Sequence, residues 1–209
     1  MSEFESVVKE RRSANRFVEG IDIPRKELEE MLSLAKYAPS AYNLQHAQYL
    51  VVTDRTRIDK IYEAAFKQYK IKTASAVVFV LGDTKAHLQA ANLYEGMKTL
   101  GIFNEQEYEK AVNDTQQFYE GRGEDFQRED AISNASLSAM QFMLIAKDKG
   151  WDTCPMHSVE LSVIRELIDP DISDHVVPVM MITMGKSAKE SFRPRGYRKP
   201  VDEFVRFYE

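Results

Sequence analysis

The sequence of 209 residues contains one cysteine, no long hydrophobic run and no excess of positive charge. The single cysteine, Cys154, excludes an internal disulfide and a cysteine-rich metal site, and the four histidines show no paired ligand spacing. No hydrophobic run approaches the length of a membrane span, and no N-terminal stretch has the form of a signal peptide. We therefore expect a soluble, cytoplasmic protein that binds no metal.

The charge and the missing motifs also narrow the function. A formal net charge of −5 argues against nucleic acid or an anionic membrane as the main partner. The sequence has no P-loop, no nucleophile elbow and no glycine-rich dinucleotide fingerprint. Cys154 stands beside a proline in an apolar setting, which favours an inert buried thiol over a catalytic one.

The length suits one large domain, residues 1–209, with a well-buried core. Small and apolar residues at helical spacing predict a central buried helix from Arg128 to Lys149, which Gly150 should end. Before it, residues 85 to about 123 carry uneven helical signals and many polar side chains, so this excursion is a candidate lid. Its aromatic side chains are possible substrate contacts, or they pack a peripheral helix on the core: Phe103, Tyr108, Phe118 and Tyr119.

Strand signals occur on both sides of this helix. The apolar run Ala76–Leu81 predicts a buried strand. Val176–Met184 predicts a second strand, and Pro178 should place it at a sheet edge or at a strand start. Between them, Ser158 can cap a short helix that extends through Ile168.

Two basic clusters are the first candidates for a ligand site. Arg11, Arg12 and Arg16 follow the predicted N-terminal helix, and Arg195 and Arg198 lie in the C-terminal tail. Cations at a helix C-terminus can simply complement the helix dipole. Alternatively, their forked guanidinium groups can hold phosphate oxygens bidentately.

Two loops add polar groups to these clusters. The loop Ala38–His46 presents serine, asparagine and glutamine before a strand, as ligand-binding turns and ordinary turns both do. The segment Trp151–Ser158 carries almost no charge and should be held rigidly behind the buried helix. It can offer backbone N–H groups to a planar or anionic ligand, and we interpret it as following the edge of a flavin. The chemistry would then belong to the cofactor.

In this order, the motifs resemble those of the FMN-dependent nitroreductase family over nearly the whole chain. Arg11-Arg12-Ser13, followed by Phe17, resembles the motif that grips the FMN phosphate, ribityl chain and pyrimidine edge. Ala38-Pro39-Ser40 with Asn43 and Gln45 resembles the loop that passes a flavin face and helps to build the substrate pocket. Residues 150–156 resemble the segment whose backbone passes the flavin N5 region.

The resemblance implies a set of site residues. It implies binding of FMN by Arg11, Arg12, Ser13, Asn15, Pro39, Ser40, Ala41, Asn43, Gln68, Lys70, Pro155, Met156, His157, Ser158, Arg195 and Arg198. Tyr42 joins Phe103, Tyr108 and Phe118 as a candidate substrate contact. Asn15 stands where many family members carry lysine or arginine. Without a cation at this position the anionic reduced flavin would be stabilised less, so its reduction potential would be lower unless Arg16 or Arg12 substitutes. His46-Ala47 replaces the usual Pro-Trp.

The implied fold is an α+β homodimer with a central, mostly antiparallel sheet and two FMN sites at the subunit interface. The Arg128–Lys149 helix would lie in that interface, where small residues would allow close approach. These small residues are Ser133, Ala135, Ser136 and Ala139. Residues 191–209 would form a C-terminal arm that crosses to the partner.

The implied activity passes hydride from NAD(P)H through flavin N5 to a nitroaromatic, quinone or similar acceptor, by a ping-pong mechanism without a catalytic side chain. Two alternatives stay open. The chain can be a flavin-binding or flavin-handling protein of the same fold without efficient turnover. It can also be a non-flavin protein whose arginines bind a phosphorylated metabolite or a partner.

Overall fold

The computed structural model describes residues 2–189 and 195–209. The α-helices are α1 Glu3–Glu10, α2 Arg25–Ala35, α3 Arg55–Ala64, α4 Tyr69–Lys72, α5 Ala90–Thr99, α6 Glu105–Asp148 and α7 Leu161–Leu167. The strands are β1 Ala47–Val52, β2 Ala76–Asp83, β3 Asp152–Met156 and β4 Val176–Gly185. They form one antiparallel sheet in the order β1-β2-β4-β3, which confirms the expected α+β class.

Strand β2 divides the interior into two cores. Its side chains alternate between the two faces of the sheet, as the pleat of a strand requires. Val78 and Val80 pack with residues of α2 and α6, whereas Val77 and Phe79 pack with residues of α3, α4 and α7. A continuous apolar run is therefore needed here, because helices cover both faces of this strand.

Helix α6 is longer than the helix predicted from Arg128 to Lys149. It begins at Glu105, where Asn104 and Glu107 form a capping box, and it is interrupted at Gly123, whose φ is +80°. Glycine adopts this φ without steric cost, so the chain can break direction and resume as helix. The C-terminal end agrees with the prediction, since Gly150 follows the helix with φ +76°.

Two of the four small residues of α6, Ala135 and Ala139, face the protomer's own sheet. Both are fully buried in the core that contains β2. Their predicted role in a subunit interface is therefore wrong, because the sheet already occupies that side of the helix, whereas the role of Ser133 and Ser136 stays a prediction. The outward side carries Ser133, Leu137 and Met140, and the last two are 51% and 41% exposed.

Strand β4 begins at Val176, and Pro178 is its third residue, which agrees with the predicted position at a strand start. Strand β3 pairs only with residues 181–185 of β4, so no strand of the described chain lies beside Pro178 on the side away from β2. Val80 pairs with Met180 and Leu81 pairs with Pro178, so Val179 is the extra residue of a β-bulge in β4, next to the proline. One further expectation needs correction. Helix α7 begins after Glu160, so Ser158 lies outside it and does not cap it.

The candidate lid is a helical layer with its own small core. A short 3-10 helix Ala86–Gln89, helix α5 and the first part of α6 surround the buried side chains of Tyr94 and Tyr119. Within residues 2–189 and 195–209, no helix has the length and apolarity needed to cross a membrane. The same residues contain no group of three or more metal-ligating side chains.

The carboxylate of Asp152 joins the end of α6 to the ends of β3 and β4. One oxygen lies 3.1 Å from Lys147 Nζ, and the other accepts the N–H of Ser187 at 3.2 Å. Burial by itself would raise the pKa of Asp152, but these hydrogen bonds and the charge of Lys147 outweigh it and lower the pKa below its usual range.

We expect Asp152→Asn to reduce the free energy of unfolding at pH 7 by about 1–2 kcal/mol. Because the folded-state pKa is depressed, the carboxylate stabilises the fold above its unfolded-state pKa of about 4 and loses this effect as the pH falls further. Urea unfolding between pH 7 and pH 3 should therefore show the two proteins converging at low pH. Asp148→Asn, at an exposed position of the same helix end, is the control. A pH-independent difference between Asp152→Asn and wild type would contradict this account.

Candidate functional site

Residues 13–18 are fixed at one corner of the sheet by backbone hydrogen bonds. Ala14 donates to the carbonyl of Thr153 at 3.1 Å, and Val18 donates to the carbonyl of Lys186 at 2.8 Å. The N–H of Phe17 donates to Thr73 Oγ1 at 3.1 Å. The arginine motif therefore lies against strand β3, as the resemblance requires.

Gly185 allows this segment to lie close to the sheet. A Cβ atom at Gly185 would stand 2.9 Å from the Phe17 ring, and the Phe17 side chain is 1% exposed. Phe17 thus anchors the segment that follows Arg11-Arg12-Ser13. Sequence reasoning included Phe17 in the motif, but it could not predict that the Phe17 ring packs on Gly185, because the two residues are far apart in sequence.

The two basic clusters come together in the structure. Burial, followed by the charges of Arg195 and Arg198, lowers the pKa of Arg11. Arg11 Nη1 is buried and has no hydrogen-bond partner among the described residues. A buried, unsatisfied guanidinium N–H close to two other guanidinium groups is unfavourable unless an anion binds there. A phosphate group fits this environment.

Strand β3 supplies further polar groups beside the arginines. The carbonyl of Thr153 points away from the sheet, towards Ala14. Backbone groups of a strand point to alternate sides, so the carbonyl of Pro155, two residues further on, points to the same open edge of β3. Thr153 Oγ1 and Ser158 Oγ are buried and unpartnered within the described part of the chain, whereas the His157 side chain is exposed. Hydroxyl groups of a ribityl chain could satisfy both oxygens. Sequence reasoning had no signal for Thr153, because it resembles any buried threonine of a strand.

Helix α4 brings Gln68 and Lys70 to the same corner. The Arg16 guanidinium lies 5.1 Å from the centre of the Tyr69 ring, and Thr73 holds the backbone of Phe17 as described above. Gln68 is the N-cap residue of α4, and both Gln68 and Lys70 are half-buried. Exposed side chains complete this set: Arg12, Ser13, Asn15, Arg195 and Arg198.

The loop Ala38–His46 lies elsewhere and is held in a strained conformation. Tyr42, Asn43 and Gln45 have φ values of 52°, 55° and 53°, which are costly for residues other than glycine. Ser40 Oγ accepts the N–H of Gln45 at 2.9 Å, which closes the loop on itself.

Two residues, Asn134 on the second part of α6 and Tyr94 on α5, secure this loop from outside. Asn134 Oδ1 accepts the N–H of Ala41 at 2.8 Å, and the Tyr94 hydroxyl donates to the carbonyl of Tyr42 at 3.1 Å. Sequence reasoning missed both residues. The only signal for Asn134 was a polar residue within the apolar stripe of α6.

A pocket of about 240 Å³ lies between this loop, α2, β1 and α6. Pro39, Ser40 and Ala47 line it, and Ala47 leaves more room than the tryptophan of the usual family pattern. His46 also lines it; this ring is 2% exposed, and its Nε2 lies 3.4 Å from Asp130 Oδ2 without hydrogen-bond geometry. Burial lowers the pKa of His46 more than the nearby carboxylates raise it, so its ring is neutral at pH 7.

The two sets of predicted cofactor residues occupy diagonally opposite corners of the sheet. At one end of the sheet, Ser13 bridges to Thr153 of β3, which pairs with Met184 of β4. At the other end, the loop Ala38–His46 enters β1 at Ala47, and Ala47 is aligned through Gly82 of β2 with Val177 of β4. The separation is about 20 Å along the strands and about 14 Å across three strand spacings. Within one protomer, the two sets therefore lie at opposite ends of the sheet.

The candidate substrate contacts form two groups, one beside the loop Ala38–His46 and one inside the helical layer. The rings of Tyr42 and Phe118 meet with their centres 5.4 Å apart, beside the loop. Phe103 packs edge-on against Tyr94, and the Tyr108 hydroxyl donates to the carbonyl of Ala91. Phe103 and Tyr108 thus pack inside the helical layer, and their contact with substrate stays a prediction.

Known proteins share both the sequence and the fold. The model of the nitroreductase family matches residues 8–186. MhqN of Bacillus subtilis (strain 168), whose name assigns it to the NAD(P)H nitroreductases, is 54% identical over 207 residues, which cover 99% of this chain and 100% of MhqN.

Solved structures agree with this match. The crystal structure of a nitroreductase-type protein of Bacillus subtilis, ydfN, superposes with a TM-score of 0.93 at 52% identity and covers 99% of both chains. A nitroreductase-type protein of Exiguobacterium sibiricum 255-15, solved in complex with FMN, has a TM-score of 0.89 at 29% identity and covers 100% of this chain and 98% of its own. The chain therefore belongs to the nitroreductase family.

Proposed function

We propose that this protein is an FMN-dependent oxidoreductase that uses NAD(P)H to reduce nitroaromatic, quinone or similar acceptors in the cytoplasm. The observation that carries the proposal is that Arg11 Nη1 is buried without a hydrogen-bond partner among the described residues, near the charges of Arg195 and Arg198. This cluster fits the phosphate of FMN, the cofactor bound by the Exiguobacterium relative. Bound there, FMN would supply hydride-transfer chemistry between the nicotinamide donor and the acceptor, in two half-reactions.

The separated corners favour a homodimer in which two protomers complete each site. One protomer supplies the arginines and the β3 edge, and the second supplies the Ser40–Asn43 loop. Apolar side chains suited to such an interface are exposed on the outward face of α6 and in the C-terminal tail. In the tail, Phe204, Phe207 and Tyr208 are 65%, 79% and 88% exposed. Residues 191–194 of the predicted arm lie outside the described residues.

Within this site, the protein binds and orients rather than transfers protons through a side chain. The arginines would neutralise the phosphate, and the Thr153 and Ser158 hydroxyls, which have no partner in the described part of the chain, would bond the ribityl chain. Since His46 is neutral at pH 7, it adds no charge to the loop. The strained backbone of Tyr42 and Asn43, held from outside by Tyr94 and Asn134, gives the reactive face a fixed wall.

Anaerobic stopped-flow spectroscopy of the FMN-loaded protein tests the proposal. We expect NADH or NADPH to bleach the oxidised flavin band, and a nitroaromatic or quinone to restore it. If FMN binds but neither nicotinamide bleaches it, the flavin-handling alternative is correct. If FMN does not bind, the arginines hold a different phosphorylated ligand.

A further inference from the structure

The sequence Gly121-Arg122-Gly123 interrupts α6 next to the aromatic side chains of the helical layer. The backbone of Gly123 is in a glycine-only conformation, with φ 80° and ψ 178°. The Arg122 guanidinium lies over two rings, 4.8 Å from the centre of Phe118 and 5.1 Å from the centre of Phe126. Stacking on two aromatic faces restricts the guanidinium and gives it a defined position.

Arg122 forms no ion pair with any other described residue. Glu120, Glu124 and Asp125 flank it in sequence, yet none of them forms an ion pair with it in the part of the chain that the structure describes. The side chain is exposed, so a ligand can reach the guanidinium. A positioned cation without a carboxylate partner can bind an external anion.

Ring contacts connect this cation to the loop of the proposed active site. Phe118, which lies under Arg122, also contacts Tyr42. Tyr42 stands between Ser40 and Asn43 in the loop that forms the wall of the reactive face. Arg122 therefore lies at the rim of that wall, two ring contacts from the loop.

We propose that Arg122 determines specificity by binding an anionic group of the aromatic molecule that enters the site. The group is either a carboxylate on the acceptor or the 2′-phosphate of NADPH, since donor and acceptor use one site in turn. The inference rests on the proposed function and names its substrate class. A neutral aromatic molecule binds by packing against the aromatic side chains of the site. An anionic one is bound in addition by the charge of the Arg122 guanidinium.

Matched acceptors test the first source. 4-Nitrobenzoate and its methyl ester differ by one charge, and each can be assayed with wild type, Arg122→Gln and Arg122→Lys. We expect Arg122→Gln to raise KM for 4-nitrobenzoate roughly three- to fivefold, as loss of an exposed ion pair does, with little change for the ester. Arg122→Lys should restore most of the difference. Arg128→Gln, an exposed cation on the same helix, should leave both values unchanged.

The donor is tested by measuring the Kd of NADPH and of NADH for wild type and Arg122→Gln in the reductive half-reaction. If Arg122→Gln raises only the KM for 4-nitrobenzoate, the anion that Arg122 binds is the acceptor carboxylate. If it raises only the Kd of NADPH, the anion is the 2′-phosphate of the donor. Equal changes for charged and neutral partners, or no change at all, would overturn the proposal.

A binding measurement separates this inference from the proposed function. Benzoate and benzamide can be titrated into the oxidised FMN-loaded protein while the flavin spectrum is followed, without any turnover. Weaker binding of benzoate alone to Arg122→Gln supports the proposal even if no nicotinamide reduces the flavin. Unchanged benzoate binding counts against it even if the enzyme is active.

Discussion

Arg11→Gln is expected to weaken FMN binding about 100-fold, equivalent to about 3 kcal/mol. Arg11 is half-buried with one unpartnered Nη, so the phosphate would provide its missing hydrogen bonds and opposite charge. The same substitution should slightly raise the free energy of unfolding of the FMN-free protein. Burial and repulsion by Arg195 and Arg198 disfavour the charged side chain when no anion is bound.

Fluorescence titration with FMN and with riboflavin measures this effect. Because riboflavin lacks the phosphate, its affinity should change less than about twofold. Lys9→Gln, an exposed cation in the last turn of α1, is the matched control for removal of one positive charge. An equal loss for FMN and riboflavin would show that Arg11 acts through the fold and not through phosphate.

Gly82→Ala is expected to lower the free energy of unfolding by about 2–3 kcal/mol. A Cβ atom at Gly82 of β2 would lie 2.8 Å from the carbonyl oxygen of Ala131 on α6. The obstacle is helix backbone, so no side-chain rotation can relieve the contact. The helix must move away from the sheet, which loosens packing around the core residues of α6.

Urea denaturation monitored by circular dichroism provides the measurement, and Gly96→Ala provides the control. Gly96 lies in helix α5, and a Cβ atom there would meet nothing within 4 Å. That substitution should stabilise the protein by about 0.5–1 kcal/mol, because alanine favours the helix. If Gly82→Ala were neutral, the close approach of α6 to β2 would have to be wrong.

Local patterns predicted some features of the fold and failed at others. The apolar run of β2 and the glycine stop of α6 follow from short-range chemistry, so the sequence was sufficient for them. The start of α6 was predicted at Arg128 because the stripe of small and apolar residues begins there, whereas the more polar half of the helix before Gly123 shows no such stripe. Pro178 does lie near a strand start, but the β-bulge beside it is a property of the paired sheet and not of one segment.

The candidate site shows a similar limit. The order of the motifs indicated which segments would bind the cofactor, and the structure places the Arg11 and β3 segments side by side. Strand register was needed to show that Ser40 and Asn43 belong to a distant corner. The supporting roles of Gly185, Tyr94 and Asn134 depend on contacts between residues far apart in sequence, which local spacing does not encode.

The diagonal separation of the two half-sites has a genetic consequence. In the proposed homodimer, a chain with a defective arginine cluster still carries an intact loop, and a chain with a defective loop still carries intact arginines. When the two are produced together, each mixed dimer contains one wild-type site and one doubly defective site. Two inactive alleles should therefore complement each other, whereas two alleles that damage the same corner should not.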